Sequence, residues 1–245
     1  MRSLSFNWIQ VASLSTSSVT CKVIPKNLKG RNKSSQDWLH RQLNDPYVKL
    51  AKYEQYRARS AYKLLEMDNQ HKILKPGQVI IECGAAPGAW TQVAVSRVNS
   101  LPKDKSKPQG LVIGVDLTPV HSLPGATFLG GRDFTCPKTQ QQLLDLLQGR
   151  KVNVVLSDMA PNASGTKALD HENIINLAYS ALRFAVQNSA IGGSFLCKIW
   201  EGYMTQKISD DMRKFYKNVK PIKPPSSRSD SAEKFLLCRN FLGVK

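Results

Sequence analysis

The sequence predicts an α/β fold, a mostly parallel seven-stranded sheet with helices on both faces. Three observations lead there. Short apolar runs such as Val79–Cys83, Leu111–Asp116 and Val152–Ser157 lack polar alternation, the mark of strands covered on both sides. Stretches with apolar residues at three- and four-residue steps separate them, giving the strand–helix alternation that winds into a parallel sheet. The chain has 245 residues, short enough for one hydrophobic core, since single cores stop growing at about 250–300 residues.

Residues 1–36 stand outside this pattern. They carry Arg2, Lys22, Lys26, Lys29, Arg31 and Lys33, are rich in Ser and Thr, and contain no carboxylate before Asp37. That composition suits a mitochondrial or plastid targeting presequence, or else a disordered basic leader; no apolar stretch of secretory type occurs. Mitochondrial import is expected, with residues 37–245 as the folded domain.

From 37 to 69 the spacing of Trp38, Leu39, Leu43, Tyr53, Tyr56, Ala61, Tyr62, Leu64 and Leu65 predicts helix, broken at Pro46. Lys75-Pro76-Gly77 is a turn into the strand 79–83, and 89–98 is helical. The polar segment LPKDKSKPQG is a surface loop. Strands follow at 111–116 and 126–129, a helix at 137–147, a strand at 152–157 and a helix at 170–187. Gly192-Gly193 predicts a turn into a strand at 194–199. A helix at 205–216, a short strand near Val219 and a last strand at 234–239 complete the order.

Lys and Arg outnumber Asp and Glu by 35 to 18, a net charge of +17. Six basic and no acidic residues belong to the first 36, so 29 minus 18 leaves +11 on the rest, a balance suited to RNA or DNA. The five cysteines are odd in number and contain no C-x-x-C pair, which argues against a zinc site or a disulfide framework and for a reducing compartment. The four histidines lack ligand spacing, so no metal site is expected. No run approaches the ~18 apolar residues of a membrane span.

In open sheets of this kind, ligands bind beyond the carboxyl ends of the strands. Glu82 ends the first strand, and Gly84-Ala85-Ala86-Pro87-Gly88 follows, small residues that let backbone come close to a ligand. The G-x-G-x-x-G pattern that seats a dinucleotide pyrophosphate is absent, because Ala86, Pro87 and Trp90 interrupt it. Later strand ends carry Asp116, Asp133 and Asp158. Asp116 is placed to accept ribose hydroxyls and Asp133 an adenine amino group, and several anions together suit a cationic ligand. S-adenosylmethionine has all of these features.

GAAPGAW, LSDMAPN, GGSFLCKIW and SSRSDSAEKFLL together resemble the RrmJ/FtsJ family of S-adenosylmethionine-dependent RNA ribose 2′-O-methyltransferases, specifically its mitochondrial ribosomal-RNA branch, over residues 37–240. The family usually has GAAPGGW and an Asp in the preceding strand, where this chain has Ala89 and Glu82. The resemblance implies the Rossmann-like methyltransferase fold and a tetrad of Lys63, Asp158, Lys198 and Glu233. It extends the cofactor set to Glu82, Gly84, Ala85, Pro87, Gly88, Ala89, Trp90, Asp116, Asp133 and Asp158.

A ribose hydroxyl is a poor nucleophile near neutral pH, so methyl transfer to it benefits from a base. Lys198 interrupts an apolar strand and is the expected base or final proton acceptor. Asp158 would fix it, while Lys63 and Glu233 position the hydroxyl.

Basic residues interleaved with rings, Lys49, Lys52, Arg57 and Arg59 among Tyr53, Tyr56 and Tyr62, suit unpaired RNA bases; the tyrosines suit core packing equally well. A second basic cluster is Lys220, Lys223, Arg228 and Lys234. Arg57, Arg59, Lys223 and Arg228 are the expected RNA contacts. The expected activity is uridine 2′-O-methylation of mitochondrial large-subunit ribosomal RNA in the matrix, by a monomer acting on an assembly particle. A tRNA or mRNA-cap ribose methyltransferase and a non-catalytic ribosome-assembly factor are the competing readings.

Overall fold

The structure is a computed structural model that describes residues 23, 25, 30 and 32–244. Residues up to Asp45 and residues from Pro46 onward form two separate units. The leader expected over residues 1–36 lies almost wholly outside the described residues. In the first unit, helix α1 (Lys33–Asn44) starts at Asn32, whose side chain accepts from Ser35 N at 2.9 Å and satisfies an orphan donor of the first turn. The Asn44 amide grips Val23 from both sides, accepting from its N–H at 2.8 Å and donating to its carbonyl at 3.1 Å.

The second unit runs α2 (Pro46–Tyr53), α3 (Ala61–His71), β1 (Val79–Cys83), α4 (Ala89–Val98), β2 (Leu111–Asp116), β3 (Ala126–Gly130) and α5 (Pro137–Leu147). Then come β4 (Val152–Ser157), α6 (Lys167–Asn188), β5 (Ser189–Trp200), α7 (Thr205–Arg213), β6 (Tyr216–Ile222) and β7 (Glu233–Phe241). The seven strands lie in the order β3-β2-β1-β4-β5-β7-β6. Strands β1 to β5 are parallel, and β7 inserts antiparallel between β5 and β6.

Successive strand residues point to opposite faces, so each buried strand feeds two apolar layers. Ile81, Ile113, Val155 and Phe195 pack with Leu143, Ile174, Phe184 and Ile208 on one side. Ile80, Val112, Val154, Leu196 and Phe235 pack with Leu64, Met67, Trp90 and Val93 on the other. Every residue of β1 is buried, which is why its run shows no polar alternation. Each such Ile or Leu contributes about 1.5–3 kcal/mol by burial, and a charge at Ile80 or Ile81 would break the layer.

Local differences from the sequence reading have identifiable causes. The helix expected over 37–69 breaks at Pro46 and again over 54–60, where Gln55 takes φ +61°. Helix α3 stops at left-handed Lys72, and the buried Asp68 takes over its end by accepting from Leu74 N at 2.8 Å. The Gly192-Gly193 turn proves to be a bulge inside β5, which begins at Ser189, and its ladder with β4 shifts between Val152 and Val154. Glycine is required there because a Cβ on Gly193 would lie 2.8 Å from the Ala190 carbonyl. Helix α7 ends at Arg213 and β6 spans Tyr216–Ile222, longer than the short strand expected near Val219.

Candidate active site

Strand order reverses between β1 and β4, and there the carboxyl ends of β1, β2 and β4 open a cleft of about 250 Å³. Gly84, Ala86, Asp116, Asp133, Asp158 and Met159 are among its walls. Gly84 has φ +81°, and a Cβ on it would lie 2.8 Å from Met159 N, so glycine is what lets the loops after β1 and β4 touch. Asp116 fixes the glycine turn to its own loop, accepting from Ala86 N at 2.8 Å and Thr118 N at 2.7 Å. Asp133 accepts both Thr135 bonds, each 2.8 Å, on Oδ1, leaving Oδ2 for the cleft. Three carboxylates beside small-residue backbone suit a cationic nucleoside and would repel a polyphosphate.

Glu82 is not a cleft residue. It is 1% exposed, and Thr91 Oγ1 on α4 donates to it at 2.6 Å. Burial pushes its carboxyl up to about 8, with Asp158 and Asp116 adding to the rise and the Thr91 bond opposing it. Burial therefore favours the protonated acid where the family usually has an Asp.

Other members of the expected cofactor set shape the turn from behind. Ala85, Ala89 and Trp90 are each 2% exposed; the Trp90 ring packs 5.6 Å from that of Phe235, and its Nε1 donates to Ser60 O at 2.8 Å. Gly88 takes φ +103°, and a Cβ on it would meet Arg57 Nη1 at 2.6 Å, so it makes room for a side chain of the protein itself. Pro87 is exposed and offers its carbonyl to Arg57 at 3.0 Å.

The tetrad comes together as two ion pairs. Lys63, in the first turn of α3, places Nζ 2.7 Å from both carboxylate oxygens of Glu233, the first residue of β7. Lys198, near the end of β5, donates to the Asp158 main-chain carbonyl at 2.6 Å and pairs with its Oδ1 at 2.9 Å, an approach too oblique to count as a hydrogen bond. The β5–β7 register opposes Trp200 to Glu233 and Lys198 to Phe235, which sets Glu233 one pleat beyond Lys198 on the same face. All four side chains are 10–18% exposed. Burial works to raise the Glu233 carboxyl, but the charge and hydrogen bond of Lys63, a bond from Ser227 and the charge of Lys198 outweigh it and hold it below the usual Glu range.

The expected RNA contacts divide. Lys223 is exposed, its Nζ donating to Ser229 O at 3.2 Å and Ser231 O at 2.8 Å, and Arg228 is half-buried in the same 223–232 loop. Arg59 lies over the Tyr47 ring, 5.6 Å from its centroid, and donates to Ser226 O. Arg57 is half-buried and donates to three backbone carbonyls. Of the tyrosines, Tyr53 is 86% exposed, whereas Tyr62 is buried with its hydroxyl donating to Glu54 at 2.9 Å.

Ser226 and Ser227 open the SSRSDSAEKFLL stretch, in a loop expected at the substrate entrance, but nothing in the sequence pointed to their partners. Ser227 Oγ donates to Glu233 at 2.8 Å, and the N–H and Oγ of Ser226 both donate to Glu66, so this loop is anchored to α3 beside Lys63. Among the described residues no group of three or more His, Cys, Asp and Glu could hold a metal, and no helix is long and apolar enough to cross a membrane.

The sheet order with a cleft at its switch point is that of the Rossmann-like α/β class, to which FtsJ-like methyltransferases belong. The FtsJ-like methyltransferase family model matches residues 56–241. The chain is 55% identical over 220 residues to "rRNA methyltransferase 2, mitochondrial" of Drosophila melanogaster, covering 90% of this chain and 88% of that one. It is 45% identical over 222 residues to "Ribosomal RNA large subunit methyltransferase E" of Cereibacter sphaeroides, covering 91% and 90%. A solved structure described as a ribosomal RNA methyltransferase of Plasmodium falciparum superposes with TM-score 0.67 at 30% identity, over 77% of this chain and all of that one. The chain belongs to the FtsJ-like methyltransferase family.

Proposed function

We propose that the protein transfers a methyl group from S-adenosylmethionine to the 2′-hydroxyl of a uridine in mitochondrial large-subunit ribosomal RNA. The observation that carries this reading is the meeting of two largely enclosed Lys–carboxylate pairs at the strand ends beside the acidic cleft. The similarity to ribosomal RNA methyltransferases, one of them mitochondrial, supports the substrate and the compartment. Import through residues 1–36, folding of 37–245 as the catalytic domain, action as a matrix monomer and recognition of an assembly particle belong to the same proposal.

The donor set fits the cofactor: Asp116 would take ribose hydroxyls, Asp133 the adenine amino group, and Gly84 with Ala86 gives close backbone. When bound, S-adenosylmethionine would supply a methyl group on a sulfonium, leaving as the neutral thioether once the methyl has passed to the ribose oxygen. Lys198 takes the proton of the attacking hydroxyl, and Asp158 holds that amine in place through two oxygens. Glu233, braced by Ser227, aims Lys63 at the ribose. Alignment of the hydroxyl with the methyl group supplies much of the acceleration, which is why both lysines are held on rigid elements. Lys223 and Arg228, on the loop that braces Glu233, provide phosphate contacts at the site entrance.

Ribose-methylation mapping of mitochondrial RNAs after depletion of the protein tests the proposal. One large-subunit uridine should lose its mark and regain it with the wild-type chain. Loss confined to a tRNA or an mRNA cap, or no loss at all, would overturn it.

A further inference from the structure

We propose that Arg57 is a positioning residue that locks the walls of the cofactor cleft to the segment leading into Lys63. This rests on the methyltransferase reading of that cleft and replaces the RNA contact expected of Arg57.

Residues 54–60 link α2 to α3 and are pinned from two points on α4. Gln92 grips the backbone in both directions, accepting from Arg57 N at 2.8 Å and donating to Gln55 O at 2.9 Å. Trp90 Nε1 donates to Ser60 O. From this fixed base the Arg57 guanidinium reaches outward. Nη1 donates to Pro87 O at 3.0 Å and His121 O at 2.8 Å, and Nη2 donates to Ser122 O at 2.6 Å.

Pro87 belongs to the glycine turn after β1. His121 and Ser122 belong to the loop after β2, whose first residues, Leu117 and Thr118, line the cleft. One rigid, planar fork of donors therefore fastens both walls, which a lysine, with a single nitrogen, cannot do in the same geometry. Gly88 is the second mark of this arrangement, since a Cβ there would lie 2.6 Å from Nη1. The same link ends at Ser60, whose carbonyl accepts from Lys63 N at 3.0 Å in the first turn of α3. A shift of the cofactor turn is thereby carried to the lysine that faces the acceptor, and three of the five guanidinium N–H donors are already committed to carbonyls of the protein.

The test compares wild type, Arg57→Ala and Arg57→Lys by hydrogen exchange on the ligand-free protein, by calorimetric binding of S-adenosylmethionine and by RNA binding. In Arg57→Ala, amide exchange at Ala86, Gly88 and residues 120–123 should rise about tenfold or more while β4 and β5 stay protected. The Kd for S-adenosylmethionine should rise about tenfold, RNA affinity should be unchanged, and millimolar guanidinium should restore cofactor binding to Arg57→Ala. Arg57→Lys should behave like Arg57→Ala. Unchanged exchange in those two segments, or lost RNA affinity with normal cofactor binding, would overturn the proposal. Exchange is read without any methyl donor, so a wild-type protein that fails to bind S-adenosylmethionine would refute the functional reading while the exchange data still decide on Arg57.

Discussion

Replacing Glu82 with Gln removes an acid that folding forces to stay protonated. Its ordinary value is 4.5, and burial lifts it to about 8 in the folded chain. Between those values the folded state holds one proton more than the unfolded state, so stability falls as pH rises through the window. Each pH unit inside it costs about 1.4 kcal/mol. Between pH 5 and pH 8 wild type should therefore lose about 3 kcal/mol relative to Glu82→Gln, whose amide is nearly isosteric with the neutral acid and can still accept the Thr91 hydrogen bond. Urea unfolding of both proteins at pH 5, 6.5 and 8, with equal m-values required, reads the difference directly. The two should agree within about 1 kcal/mol at pH 5 and diverge upward. Parallel pH profiles would refute the reasoning, because they would mean that the folded carboxyl ionises as readily as the unfolded one.

Lys198→Ala should lower the single-turnover methylation rate by about 10² or more with the Kd for S-adenosylmethionine unchanged; near-normal turnover would remove Lys198 from the role of base. Asp116→Asn should weaken S-adenosylmethionine binding by about tenfold in calorimetry, since it loses both charge and a clean acceptor pair at the turn. For Gly84→Ala, a Cβ forced against Met159 at positive φ should cost about 2 kcal/mol or more in urea unfolding, together with the cofactor site. RNA affinity of Lys223→Ala should fall and its salt dependence flatten by roughly one unit of log–log slope, whereas a pure folding role would leave the slope alone.

The core strands were legible because burial on both faces removes polar alternation, as in Val79–Cys83, and the strand ends then pointed to Asp116, Asp133 and Asp158. The two ion pairs of the tetrad followed from the family resemblance together with the apolar setting of Lys198. What was not legible depends on long-range partners. Glu82 reads as one more strand-end carboxylate until Thr91 and the sheet are seen to enclose it. Arg57 sits among basic residues and rings, and nothing local shows that its acceptors lie on residues 87, 121 and 122. Gly192-Gly193 has turn chemistry, but pairing of Val152 with Ser189 holds it within a strand. Trp90 begins a helix at the ligand turn, yet Ser60 and Phe235 draw its ring into the core.

The placement of β7 sets an order of assembly. The cleft is walled largely from the ends of β1, β2 and β4, whereas Glu233 opens the final strand, and β6 reaches the sheet only through its pairing with β7, so Lys63 gains its counter-ion when the last two strands join together. As the chain leaves a ribosome from its N-terminal end, the strands that wall the cleft are made first and the Lys63–Glu233 pair is completed last. Without β7, Lys63 would lack its carboxylate and β6 its pairing in the sheet, so the final strand closes the ion pair and the sheet edge in one step.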